Sequence, residues 1–200
     1  MTVQADQEPG PAPVAVLRDW RAVLLRPGAA TFAAVAAGAD WSRAVVAVGV
    51  PSVIAGLIRL VQPGDLGGPI LAFLAGAAAS VVLFSLWAGW FWGAARLLGG
   101  QAAPVAHMYA LALVWPVLDL LIAGPRGGSD LWGVTACLWV PAAGYGLALT
   151  YAALRGVHGL TDTTARLAVM SPLVVAFVGG LVVWAALLIL NPAGPVPAGP

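Results

Sequence analysis

Few side chains in this 200-residue chain are of types that do chemistry, and their spacing limits what they can do. His107 and His158 are the only histidines, and Cys137 is the only cysteine. Two imidazoles without a neighbouring Cys, Glu or paired carboxylates make a poor metal set, so no metal and no cofactor is expected. Cys137 has no partner for an internal disulfide and lies inside an apolar stretch. It reads as a buried structural thiol, because a reactive one needs an exposed, electropositive setting. The chain contains no Walker loop, GxSxG elbow, HExxH or CxxC. Its apolar stretches hold serines and threonines, but no His–Asp pair to activate them. The expectation is a protein that is not an enzyme and has no catalytic residues.

Three polar features remain. Asp119 is the one acidic residue well inside an apolar run, and an ionisable group in hydrocarbon marks either a function or a structural partner. It lies about one turn from the end of its run. Arg59 sits at a similar depth in another run, so a structural Arg59–Asp119 pair is expected, with independent snorkelling or a proton or ion pathway as alternatives. The second feature is "LRGVHGLTDTTARLAV", residues 154–169. Here Arg155 would end one helix, Gly156 and Gly159 would allow a reversal, Thr161 or Asp162 would cap the next turn, and Arg166 would anchor the following helix. The loop reads mainly as a turn. Its candidate partner-facing residues are Arg155, His158, Thr161, Asp162, Thr163 and Arg166. The third is "VAVLRDWRAVLL", residues 14–25, in which Val16, Leu17, Trp20, Val23 and Leu24 recur at helical spacing while Arg18, Asp19 and Arg21 fall mostly off that stripe. Arg18, Trp20 and Arg21 would suit a helix lying on a membrane surface; a helix packed on the protein's own bundle is the alternative.

The elements that must position these residues follow from composition. Hydrophobic residues make up 61% of the chain and charged ones only 8%, against about 25% charged in soluble domains. Lipid must therefore solvate part of the surface. The net charge of +1 gives no field for nucleic acid. Five segments approach or exceed the about 20 apolar residues a span needs: 43–61, 70–97, 105–123, 131–154 and 167–190. "AATFAAVAAGA" before Asp40 is a candidate second short helix. Residues 1–13 are Pro-rich and polar, without the apolar core of a signal peptide, and read as a disordered tail; residues 191–200 read as a flexible one. Gln62-Pro63-Gly64, Gly99-Gly100, Gly124-Pro125 and Arg155-Gly156 mark short connections, so consecutive helices are antiparallel neighbours. The predicted fold is an all-α membrane protein: a bundle of five transmembrane helices with a short amphipathic N-terminal helix.

With the N-terminus cytoplasmic, Arg18, Arg21, Arg26, Arg43, Arg96, Arg155 and Arg166 fall inside and Arg59 and Arg126 outside, the expected positive-inside bias. Trp87, Trp90 and Trp92 would then form an aromatic belt near the inner face. Lysine is absent and Ala, Gly and Pro are heavily used, which points to a GC-rich, bacterial genome and an inner-membrane location. Ala72, Gly76 and Ser80, and likewise Ala176 and Gly180, recur every four residues and predict close helix contacts. Pro141 with Gly144 and Gly146 marks a helix prone to bend.

The layout and three local motifs resemble the Yip family of Ypt/Rab GTPase-interacting membrane proteins. Arg26-Pro27-Gly28-Ala29-Ala30-Thr31-Phe32 followed by Asp40-Trp41 is similar to the family's lead into its first helix. "ARLLGG", ending at Gly100, is similar to the glycine pair after its second. Residues 154–169 look like the short turn between its fourth and fifth. The resemblance covers residues 14–190 and implies a non-enzymatic five-helix membrane protein with a cytoplasmic N-terminus and a short tail outside. Relatives bind Rab-type GTPases; a bacterial chain would lack such a partner. The expected function is a scaffold or partner-binding protein of membrane organisation or traffic. Its partners would be the lipid bilayer and other membrane proteins or further copies of itself. A small transporter or permease subunit is the alternative.

Overall fold

The computed structural model describes residues 11–61, 68–123 and 132–190. Among them are seven helices and no strand: α1 Ala12–Leu25, α2 Ala29–Ala37, α3 Trp41–Val61, α4 Pro69–Leu97, α5 Pro104–Ala123, α6 Trp132–His158 and α7 Asp162–Leu190. The expected turns at 62–64 and 124–125, Arg126, the side chain of Cys137, most of the N-terminal tail and all of the C-terminal one lie outside the described residues. Three helices are long and apolar enough to cross a membrane: Trp41–Leu60 of α3, all of α4 and Asp162–Leu187 of α7. The apolar run of α5, Pro104–Asp119, is shorter.

The most extensive contact joins α3 and α4. It forms because small residues let the two backbones approach. A Cβ added at Gly56 would lie 2.8 Å from the Phe73 carbonyl oxygen, and one at Gly76 would lie 2.6 Å from the Arg59 side chain. Ala72, Gly76 and Ser80 are all buried, and the stripe continues through Phe84, Ala88, Phe91 and Ala95. This spacing of four and three residues keeps one face of α4 against the bundle.

Every residue from Tyr109 to Trp115 is buried, so α5 is the central helix. Trp115 packs edge-on against Phe84 with ring centroids 5.5 Å apart, and Trp87 lies 5.6 Å from Trp115. The short α2 buries Phe32 and docks on α6, where Gly156 meets the Ala29 carbonyl directly.

Two features differ from the sequence reading. First, α6 runs through His158 and α7 begins at Asp162, so the reversal takes only residues 159–161, with Gly159 at φ 64°. Gly156 is helical; its missing side chain makes room for α2 rather than for a turn. Second, Ala176 and Gly180 make no buried contact among the described residues. The first part of α7 packs through Ala165, Ala168 and Val169, and Trp90 donates to Ser171 at 2.8 Å. Beyond it, every described side chain from Leu173 to Ile189 is exposed, including Phe177 at 68% and Trp184 at 62%.

Candidate functional site

Among the described residues, buried polar side chains fall in three places apart from Thr150, which donates back to the Gly146 carbonyl of its own helix at 2.7 Å. The deepest is a cluster joining α3, α4 and α5. Ser80 donates to Asp119 Oδ2 at 3.0 Å, and Trp115 Nε1 donates to Ser80 Oγ at 3.1 Å. Ser52 has one proton and two acceptors within reach, the Val48 carbonyl at 2.8 Å and Ser80 at 3.2 Å. The shorter, in-helix bond is the stronger, so Ser52 completes the cluster by packing more than by donation. Asp119 is only 5% exposed. The expected Arg59–Asp119 pair does not form: no such ion pair exists among the described residues. The Asp119 carboxylate turns toward Ser80, while the aliphatic stem of Arg59 lies over Gly76, a turn away along α4. A guanidinium stem needs a groove to cross an apolar face, and Gly76 supplies it.

The second place is the end of the bundle where α4 and α6 finish and α5 and α7 begin. His107 Nδ1 and His158 Nε2 are 2.8 Å apart, and His107 Nε2 is 2.9 Å from the Ala88 carbonyl oxygen. A carbonyl only accepts, so His107 carries its proton on Nε2 and its Nδ1 is the acceptor. His158 must then donate from Nε2, which leaves its Nδ1 as an acceptor. That atom is buried without a partner among the described residues and faces Gly100, where an added Cβ would sit 2.6 Å away. Burial above all, then the neighbouring His107 and Arg96, pushes His158 down to about 4. His158 is therefore no partner-facing loop residue: it ends α6 with 5% exposure, turned inward because His107 offers the acceptor that its ring needs.

The rest of that loop stays at the surface. Thr161 caps α7 by accepting from the Thr164 N–H at 3.3 Å, and its own carbonyl accepts from Ala165 N at 2.9 Å. Asp162 accepts from Tyr151, pairs with Arg166 one helical turn on, and lies 3.6 Å from Arg155. Arg155, Thr161, Thr163 and Arg166 are exposed and Asp162 is half-buried. The structure thus brings five of the six loop candidates onto one surface.

The third place is α1, which packs mainly on α3. Its buried face is Ala15, Val16, Asp19 and Val23, with Trp20 half-buried beside it. Asp19 points inward and accepts from Tyr109 Oη at 2.7 Å. The stripe read from the sequence is therefore rotated: Leu17 and Leu24 face out and an aspartate faces in, because a buried tyrosine hydroxyl on α5 needs an acceptor. Arg18 and Arg21 are exposed, as a surface helix requires. Nearby, Asp40 caps α3, accepting from the Arg43 N–H at 2.9 Å and from Ser42. The Ser42 hydroxyl, then the Arg43 N–H, hold its carboxyl below the usual range.

Chemically these clusters hold and orient. The Ser80 hydroxyl spends its one proton on the carboxylate and accepts from the indole. Among the described residues no hydroxyl bonds to either histidine, and no three metal-binding side chains converge. The Ser80 hub, the histidine pair and the Asp19–Tyr109 bond were all missed at the level of sequence. Only the histidines carried a signal, both falling at the same end of antiparallel helices. Comparison with known protein families, curated proteins and solved structures finds no match for this chain.

Proposed function

We propose that this chain is a multi-pass membrane protein, a non-enzymatic scaffold with the Yip-like five-span layout, whose role is to hold another membrane protein. Its N-terminus and arginine-rich end face the cytoplasm of a bacterial cell, and its C-terminal tail lies outside. The observation that supports this most is the far half of α7. Its large apolar side chains are exposed on all sides, and Ala176, Gly179 and Gly180 form a low strip with no atom within 4 Å of a Cβ added at either glycine. In lipid, helices associate through such strips because close packing replaces the missing hydrophobic force. The occupant is a transmembrane helix of a partner protein. Replacing Gly180 with Ile, whose Cβ would meet no atom among the described residues, is expected to dissociate the native complex to the mass of the single chain, measured by light scattering in detergent. An unchanged mass would remove the support for this face.

Asp119 with Ser52 and Ser80 inside the bundle favours the second reading, a small transporter or permease subunit. Flux into proteoliposomes that disappears in Asp119→Asn while the fold survives would establish it over the scaffold.

A further inference from the structure

The outward face of α1 has an order the bundle does not use. Val14, Leu17, Arg18, Arg21, Leu24 and Leu25 each have another of the set three or four residues away, which puts them on one side of the helix. All six are exposed, Leu17 at 62% and Leu25 at 68%. At the C-terminal end of this stripe, Arg18, Arg21, Ala22, Leu25 and Arg26 line an open cleft of about 340 Å³. No carboxylate among the described residues pairs with Arg21 or Arg26, and Arg18 meets only its neighbour Asp19, at 3.4 Å. That carboxylate is already bound to Tyr109.

We infer that this face binds anionic phospholipid, with Arg18, Arg21 and Arg26 around the headgroup phosphate and Val14, Leu17 and Leu25 against the acyl chains. The inference rests on the membrane reading of the chain, not on the partner proposed for α7. Guanidinium forks match phosphate oxygens in geometry as well as charge. The apolar residues of the same stripe are exposed, and they lie beside helices long enough to cross a bilayer. Charge complementarity selects an anionic over a zwitterionic lipid. The helix dipole does not help, because the cleft lies at the negative end of α1. The three side chains must therefore carry the binding, and changing them tests it.

The full chain, purified in a mild detergent, is exposed to equal phosphatidylglycerol and phosphatidylcholine, and the bound lipid is counted by native mass spectrometry. A parallel arm adds inorganic phosphate. Each arginine near an anionic lipid strengthens binding about fivefold. Arg18→Gln, Arg21→Gln and Arg26→Gln together should lower the ratio of bound phosphatidylglycerol to phosphatidylcholine tenfold or more. The corresponding triple lysine variant should keep most of the preference, which separates loss of charge from loss of fold. Free phosphate should not displace the lipid. No preference in the wild type, a preference that survives the glutamine variant, or displacement by phosphate at equal concentration would each overturn the inference. Loss of the α7 complex alone would leave it standing.

Discussion

Replacing Ser80 with Ala removes one hydroxyl and strands two groups. Trp115 Nε1 loses its acceptor, and Asp119 Oδ2 loses its donor, both within the buried α3–α4–α5 contact. An unsatisfied buried polar group costs about 1–3 kcal/mol, more if charged, so stranding two should cost about 2–6 kcal/mol. An ordinary interhelical hydrogen bond in a membrane protein contributes only about 0.6 kcal/mol, which makes the two explanations separable. Removing the stranded partners as well, in Ser80→Ala/Trp115→Phe/Asp119→Leu, should bring stability back to within about 1 kcal/mol of the wild type, since replacing all partners by apolar groups is nearly neutral. Asp119→Asn should cost about 1 kcal/mol or less, because its amide oxygen still accepts from Ser80. Reversible unfolding in mixed micelles gives all four values. The reasoning fails if Ser80→Ala costs under 1 kcal/mol, or if the triple variant is no more stable than the single one. Either result would mean that Asp119 has another partner, such as water or an ion, as the transporter reading requires.

Other perturbations bear on other contacts. His158 is held at about 4 in the fold against about 6.5 when unfolded. The neutral ring is therefore favoured by folding, and its contribution is full above pH 6.5 and lost as pH falls toward 4. Between pH 7 and pH 5 this removes about 2 kcal/mol; thermal unfolding should show the loss in the wild type and a flatter profile in His158→Gln. Gly156→Val drives a branched side chain into the Ala29 carbonyl and should cost about 3 kcal/mol or more, the upper range for overpacking a rigid contact, read as a lowered unfolding midpoint. Tyr109→Phe removes the shorter of the two hydrogen bonds to buried Asp19, leaving only Arg18 at 3.4 Å. It should cost about 1–3 kcal/mol and release α1, seen as faster proteolysis near residues 26–28.

The helices themselves were legible because each apolar run is bounded by Gly or Pro, and α3, α4 and α5 begin within two residues of where those runs begin. The stripe of Ala72, Gly76 and Ser80 likewise showed the α4 contact face. Legibility failed where a polar atom chose its partner across helices. Arg59 and Asp119 read as matched in depth, but the structure seats them a turn apart along α4, against Gly76 and Ser80. His158 looked like part of a loop because Gly156 seemed to end the helix. In fact that glycine serves a helix–helix contact, and α6 continues two residues past it. Rotation of α1 was hidden for a similar reason: the inward place of Asp19 depends on Tyr109, ninety residues away. Apolar periodicity reports which residues avoid water, and lipid accepts the same residues, so it could not tell α7's free half from its packed half.

The claim that the chain holds a partner through α7 is tested most directly by photo-crosslinking in native membranes, with a photoreactive residue at Phe177 and, as a control, at Leu86. Both positions are exposed, at 68% and 67%, and differ in which helix carries them. A discrete protein adduct from position 177 and only lipid adducts from position 86 is the predicted result. Lipid adducts alone from both would contradict it.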